Sequence, residues 1–192
     1  MSLPATLLRL TADPVLQLQA VKSLPVGQLY QSHLLAASCQ KDSYNRFCTK
    51  YKVYFSCETD ISPYNQVLTP GRFLSVKKNN GLLILTDCDG ETRKEPMSDN
   101  NNRMFMLGLG GLIIGTPVFD NDIRAYDLAC PECDESKTTL KVSFKGSATC
   151  SKCGGQWDLN TDGTCINTDG KERRPLYRYP TSYINGVFKV SN

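Results

Sequence analysis

The chain has 192 residues, 40% of them hydrophobic and 21% charged, which suits one domain of ordinary size with a tail and is too short for two full ones. Its net charge of +3, from 22 Lys and Arg against 19 Asp and Glu, supplies neither a strongly basic field for nucleic acid nor an acidic solvating tail. One histidine, His33, leaves no Ser–His–Asp or Cys–His catalytic set, whereas nine cysteines are many for this length.

Residues 1–38 are rich in Leu, Ala and Gln and lack a turn–strand rhythm. They lead into Leu34-Leu35-Ala36-Ala37-Ser38-Cys39-Gln40-Lys41-Asp42. A short apolar stretch, small residues and a cysteine resemble the lipobox of bacterial lipoproteins. The Gln-Lys-Asp that follows resembles the surface-export signal of lipoproteins from Bacteroidetes-type bacteria. The resemblance implies a leader ending at Cys39, a lipid on the Cys39 thiol, and an outer-membrane or cell-envelope location. The alternative is a disordered extension with an incidental cysteine on a cytoplasmic protein, because Ala36 stands where Leu is usual and Gln28, Gln31 and His33 interrupt the apolar run.

From Cys48 onward the pattern predicts an all-β domain spanning 48–192. Lys50-Tyr51-Lys52-Val53-Tyr54-Phe55 alternates with period two, which puts Tyr51, Val53 and Phe55 on one face. Strands are also predicted over 72–76, 82–85, 112–114, 123–126, 140–144 and 186–190. Asn80-Gly81, Asp89-Gly90, Asp162-Gly163, Asp169-Gly170 and Asn185-Gly186 supply tight turns between them. The polar run from Asp87 to Arg103 reads as a loop, and no helix is predicted after Cys39. The apolar stretch from Met104 to Val118 is broken by four glycines and Pro117 and falls short of the roughly 20 residues that span a bilayer. Short strands with frequent turns indicate a sandwich or partly open barrel.

Cys130-Pro131-Glu132-Cys133 and Cys150-Ser151-Lys152-Cys153 form two C-x2-C pairs separated by sixteen residues. This spacing suits a tetrahedral metal site. Two cysteines three apart on a tight knuckle direct both sulfurs at one ion, and knuckle N–H groups disperse the thiolate charge. Pro131 stiffens the first knuckle, and Gly154 lets the second curl round its sulfur without a Cβ clash. The same cysteines in an oxidising compartment are also candidates for disulfides. For Cys48, Cys57, Cys88 and Cys165 sequence assigns no partners. Asp87-Cys88-Asp89-Gly90 lacks the Glu of a calcium loop and reads as a turn. Gly108-Leu109-Gly110-Gly111 has no lysine or helix after it and is no phosphate cradle. Lys171-Glu172-Arg173-Arg174 reads as a solvated turn.

Around the cysteines, Ile123-Arg124-Ala125-Tyr126-Asp127-Leu128-Ala129 precedes the first pair. Gly154-Gly155-Gln156-Trp157-Asp158-Leu159, Gly163 and Pro175-Leu176-Tyr177-Arg178-Tyr179 follow the second. Together, over about 108–192, these resemble the Rieske iron–sulfur domain. That family has a Tyr-Ala-x-Asp strand before its first loop, Cys-x-x-His-Gly in its second, and a Pro-Leu-x-x-Tyr strand after it. Here Cys153 stands in place of the second-loop His, and Cys133 lies one residue beyond the place of the first. Both loops become symmetric knuckles like those of rubredoxin and zinc ribbons. The resemblance implies a Rieske-like sandwich or partly open barrel carrying a 2Fe–2S cluster, whereas knuckle geometry implies a single Fe or Zn ion. Trp157, Tyr126 and Tyr179 read as core and Asp158 as a turn residue.

The leading expectation is therefore a Rieske-like electron-transfer module on a bacterial lipoprotein. Cys130, Cys133, Cys150 and Cys153 are its ligands, a redox protein is its partner, and it has no catalytic activity of its own. The alternative is a structural four-cysteine zinc site in an envelope interaction domain. A nucleic-acid-binding zinc ribbon is disfavoured by the near-neutral charge.

Overall fold

The structure is a computed structural model that describes residues 47–192; His33, Cys39 and the lipoprotein signal expected there lie outside them. The strands of the described residues form three antiparallel sheets. The first joins β1 (Val53–Glu58), β5 (Met106–Leu107), β13 (Thr181–Ile184) and β14 (Val187–Ser191) in the order β13-β14-β1-β5. The second has six strands, β2 (Phe73–Asn79), β3 (Leu82–Thr86), β4 (Thr92–Pro96), β6 (Leu112–Gly115), β7 (Arg124–Asp127) and β12 (Arg178–Tyr179), in the order β12-β7-β6-β2-β3-β4. The third is small and carries the cysteines: β8 (Lys141–Val142), β9 (Ser147–Thr149), β10 (Gln156–Asp158) and β11 (Thr164–Cys165), in the order β11-β10-β9-β8.

The six-stranded sheet is apolar on both faces, and this sets the layering. Leu74, Val76, Leu112, Ile114 and Ala125 pack with Val53, Phe55, Phe188 and Val190 of the first sheet. The intervening residues Phe73, Ile113 and Tyr126 point the other way and pack with Ala148 and Trp157 of the third. Successive side chains of a strand leave on opposite faces, so a strand buried on both sides must be a continuous apolar run. Leu112-Ile113-Ile114 is such a run, and every residue of β6 is buried.

Several sequence expectations shift. The first strand begins at Val53 rather than Lys50; Val53 and Phe55 are buried on one face, while Tyr51 lies outside the strand. The span from Asp87 to Arg103 is not a plain loop. It holds the exposed edge strand β4 and a six-residue helix, α1 (Asp99–Met104). Edge position explains the composition of β4, Thr-Arg-Lys-Glu-Pro, since charge and proline protect an open sheet edge. Ser98 caps α1, its hydroxyl accepting from the Asn101 N–H at 3.1 Å, with Asp99 in the first turn and Arg103 in the last. The predicted 140–144 strand shortens to β8, and the chain returns as β9 through a turn at 143–146, so a hairpin links the two knuckles. Short strands at 156–158, 164–165 and 181–184 were not predicted, because two to four residues carry too little periodicity; β12 lies within 175–179, where the resemblance implied a strand. The Asn-Gly pairs behave as read. Asn80 and Gly81, and likewise Asn185 and Gly186, have positive φ in two-residue hairpins.

Candidate metal centre

The two C-x2-C knuckles meet. The Sγ atoms of Cys130, Cys133, Cys150 and Cys153 all lie within 4.8 Å of one another. Across the knuckles, Cys130 Sγ is 3.6 Å from Cys153 Sγ, and Cys133 Sγ is 3.9 Å from Cys150 Sγ. A tetrahedral ion with bonds of about 2.3 Å to sulfur holds its ligands about 3.8 Å apart. In a 2Fe–2S cluster two such tetrahedra share an edge, which spaces sulfurs on different irons by about 5.3 Å or more. The observed spread matches one ion and is too small for the cluster without movement of the loops.

Each knuckle is built alike. The Cys130 carbonyl accepts from the Asp134 N–H at 2.9 Å, and the Cys150 carbonyl from the Gly154 N–H at 3.0 Å. N–H groups of Glu132 and Cys133 point at the Cys130 sulfur, and those of Lys152 and Cys153 at the Cys150 sulfur. Burial raises the Cys130 thiol above its ordinary value. At Cys150 burial acts the same way, but the Cys153 and Lys152 N–H groups together with the Cys130 and Cys153 thiols outweigh it, and this thiol lies below its ordinary value. Such N–H groups stabilise thiolates, the form in which cysteine binds metal. Cys130 and Cys150 are buried, at 0% and 2% exposure, while Cys133 and Cys153 are half-buried and bring one edge of the centre to the surface.

Gly154 has φ +70°, and a Cβ there would meet nothing within 4 Å. The glycine is therefore needed for its backbone conformation and not, as expected from sequence, to avoid a clash. The close approach belongs to Gly155, where a Cβ would stand 2.2 Å from Cη2 of Trp157. Trp157 is fully buried beneath the second knuckle and donates its indole N–H to the Arg174 carbonyl at 2.9 Å.

The first knuckle has Asp134 where the second has Gly154, at φ +53°. Its carboxylate is held from three sides: by the Lys50 ammonium at 2.5 Å, the Tyr51 hydroxyl at 2.5 Å and the Tyr177 hydroxyl at 2.9 Å. These donors, Lys50 first, hold the Asp134 carboxyl well below the ordinary carboxylate range. The Arg174 N–H donates to Glu132 Oε1 at 2.8 Å, and its guanidinium reaches the Pro131 carbonyl. Residues 174–177 thus strap the first knuckle. Arg173, read from sequence as part of a solvated turn, is half-buried and forks onto Asp169 with both hydrogen bonds at 2.8 Å. Sequence reasoning missed Asp134, Tyr51 and Tyr177; the available signal was the match of Asp134 to Gly154, since Asp is among the few residues that tolerate positive φ.

Among the described residues the other motifs read from sequence form no second group of metal-ligating side chains. The described cysteines are all free, including Cys48, Cys57, Cys88 and Cys165. Asp87 closes a turn, its Oδ1 accepting from the N–H groups of Asp89 and Glu91. Around Gly108–Gly111 the N–H groups of Leu109 and Gly110 are taken by the buried Asp127 carboxylate. Tyr126 and Tyr179 are core, both fully buried. No protein family, curated protein or solved structure matches the chain.

Proposed function

We propose that this protein is a metal-binding domain on a Rieske-like all-β scaffold, in which Cys130, Cys133, Cys150 and Cys153 hold one tetrahedral ion as thiolates. The observation that carries the proposal is the 4.8 Å limit on the separation of all four sulfurs. Four protein ligands fill a tetrahedral shell and leave no open position for substrate, so the ion is a staple or an electron carrier and not a Lewis-acid catalyst. The structural role with zinc is the first reading: the ion ties two knuckles that are otherwise joined at the surface by the exposed Lys152–Glu135 pair, which solvent screens.

An electron-carrying iron centre is the second reading. The half-exposed Cys133 and Cys153 favour it, because they offer a redox partner a sulfur edge at the surface. The Rieske resemblance over about 108–192 favours it as well. Lipid attachment at Cys39 would hold either form at the cell envelope, and Cys39→Ala should then release the protein from membranes.

Metal and acid-labile sulfide analysis of protein purified without oxygen separates these readings. Colourless protein with about one zinc per chain supports the staple. Coloured protein with about one iron and no sulfide supports the mononuclear carrier, and about two irons with sulfide would overturn the single-ion proposal. Cys150→Ser should lose the ion and unfold more easily, because metal binding in such sites is folding free energy. Unchanged metal content in that variant would refute the ligand assignment.

A further inference from the structure

The β2–β3 hairpin, the Gly108–Gly111 loop and the segment from Ser136 to Thr139 enclose an open cleft of about 1050 Å³. Three lysines line it, Lys77, Lys78 and Lys137, and its lining holds no Asp, Glu, Arg or aromatic residue. Among the described residues none of these lysines is in an ion pair. The Lys77 ammonium donates only to the Thr139 hydroxyl, at 2.9 Å, and that of Lys78 to the Phe105 and Asn102 carbonyls. Lys137 is exposed. The nearest carboxylates in sequence, Asp134 and Glu135, are already paired with Lys50 and Lys152. The cleft therefore presents three unpaired lysine charges with no carboxylate in its lining, the Asp127 carboxylate lying buried behind its glycine floor.

We propose that this cleft binds an acidic, extended peptide segment of a partner protein. The lysines are flexible point charges suited to carboxylates. Asn79, Asn80 and Asn102 add amides that donate and accept, as a peptide main chain requires. Absence of an aromatic platform disfavours nucleobases, and absence of an arginine fork disfavours bidentate phosphate recognition. The N–H groups of Leu109 and Gly110 face Asp127, so the floor offers no such anion nest. Residues 1–46 are not the occupant that charge selects: they carry two carboxylates, Asp13 and Asp42, against Arg9, Lys22, Lys41 and Arg46. The cleft's wall continues into the first knuckle, where the Cys130 N–H donates to the Thr138 carbonyl at 2.9 Å, so the bound segment lies along a metal loop. The inference does not depend on which ion the centre holds.

Fluorescence anisotropy of the metal-loaded protein with a labelled hexaglutamate peptide tests this. Expected are saturable binding at low salt, weakening of about tenfold at about 0.5 M salt, and a loss of about fivefold or more in Lys137→Glu. Lys171→Glu, away from the cleft, should change affinity less than about twofold. Lys77→Gln, which keeps an amide donor near Thr139, should also weaken binding and serves if Lys137→Glu fails to fold. Parental metal content and Trp157 emission establish that each variant is folded. The proposal is overturned by absence of saturable binding, by equal losses in Lys171→Glu and Lys137→Glu, or by tighter binding of a thymidine hexanucleotide than of the peptide.

Discussion

Gly154 and Asp134 hold the same place in their knuckles, and both take the left-handed conformation. Gly154→Ala should therefore destabilise the metal-loaded protein by about 1–2 kcal/mol although its methyl meets nothing, with Gly154→Asn recovering part of the loss. Urea unfolding measures this, and an alanine variant as stable as the parent would show that the knuckle relaxes freely. The motif made the glycine's presence legible but suggested the wrong cause for it. Cβ clearance depends on what lies across space, and here Trp157 lies over Gly155 instead. Asp134 was illegible for a related reason: its three donors come from Lys50, Tyr51 and Tyr177, at sequence separations of 84, 83 and 43.

At the scale of elements, Asp127 at the end of β7 anchors the glycine loop to two strands. Its Oδ2 accepts from the Leu109 N–H at 2.6 Å and the Tyr179 hydroxyl at 2.6 Å. Its Oδ1 accepts from the Ala129 N–H at 2.7 Å and the Gly110 N–H at 3.0 Å. Burial pushes this carboxyl above its ordinary value, while the four donors pull the other way. Asp127→Asn keeps the shape but turns an NH2 toward two donors, and should cost about 3 kcal/mol in thermal or urea unfolding. An unchanged midpoint would show that the loop is held by packing alone. The strands around Asp127 were largely readable, since 112–114 and 123–126 are long enough to show an apolar pattern. Edge strand β4 and the short β11 were not, because pairing with a neighbour and not side-chain periodicity defines them.

In the whole molecule, two apolar clusters flank the six-stranded sheet, and the metal knuckles belong to only one. Cys130 and Cys150 pack with Trp157, Leu159 and Leu176, whereas Phe55, Leu74, Ile114 and Phe188 form the other cluster. Chelation of the metal should therefore loosen the third sheet selectively. The single tryptophan, Trp157, should shift its emission to the red, and amide exchange over 130–165 should quicken by at least about tenfold. Strands β1, β2 and β14 should keep their protection. Equal loss of protection in both clusters would show that they unfold as one unit.

By itself the sequence determined the all-β class, the Asn-Gly hairpins and the identity of the four sulfurs, because each rests on local spacing: alternation along a strand, two residues at a turn, three between knuckle cysteines. Only the tertiary structure decided that the knuckles converge within one ion's reach, that Asp134 is strapped by Lys50, Tyr51 and Tyr177, and that three lysines share one cleft. Those facts depend on pairings between distant segments, such as β1 with β14 and β7 with β12, whose register no local pattern encodes.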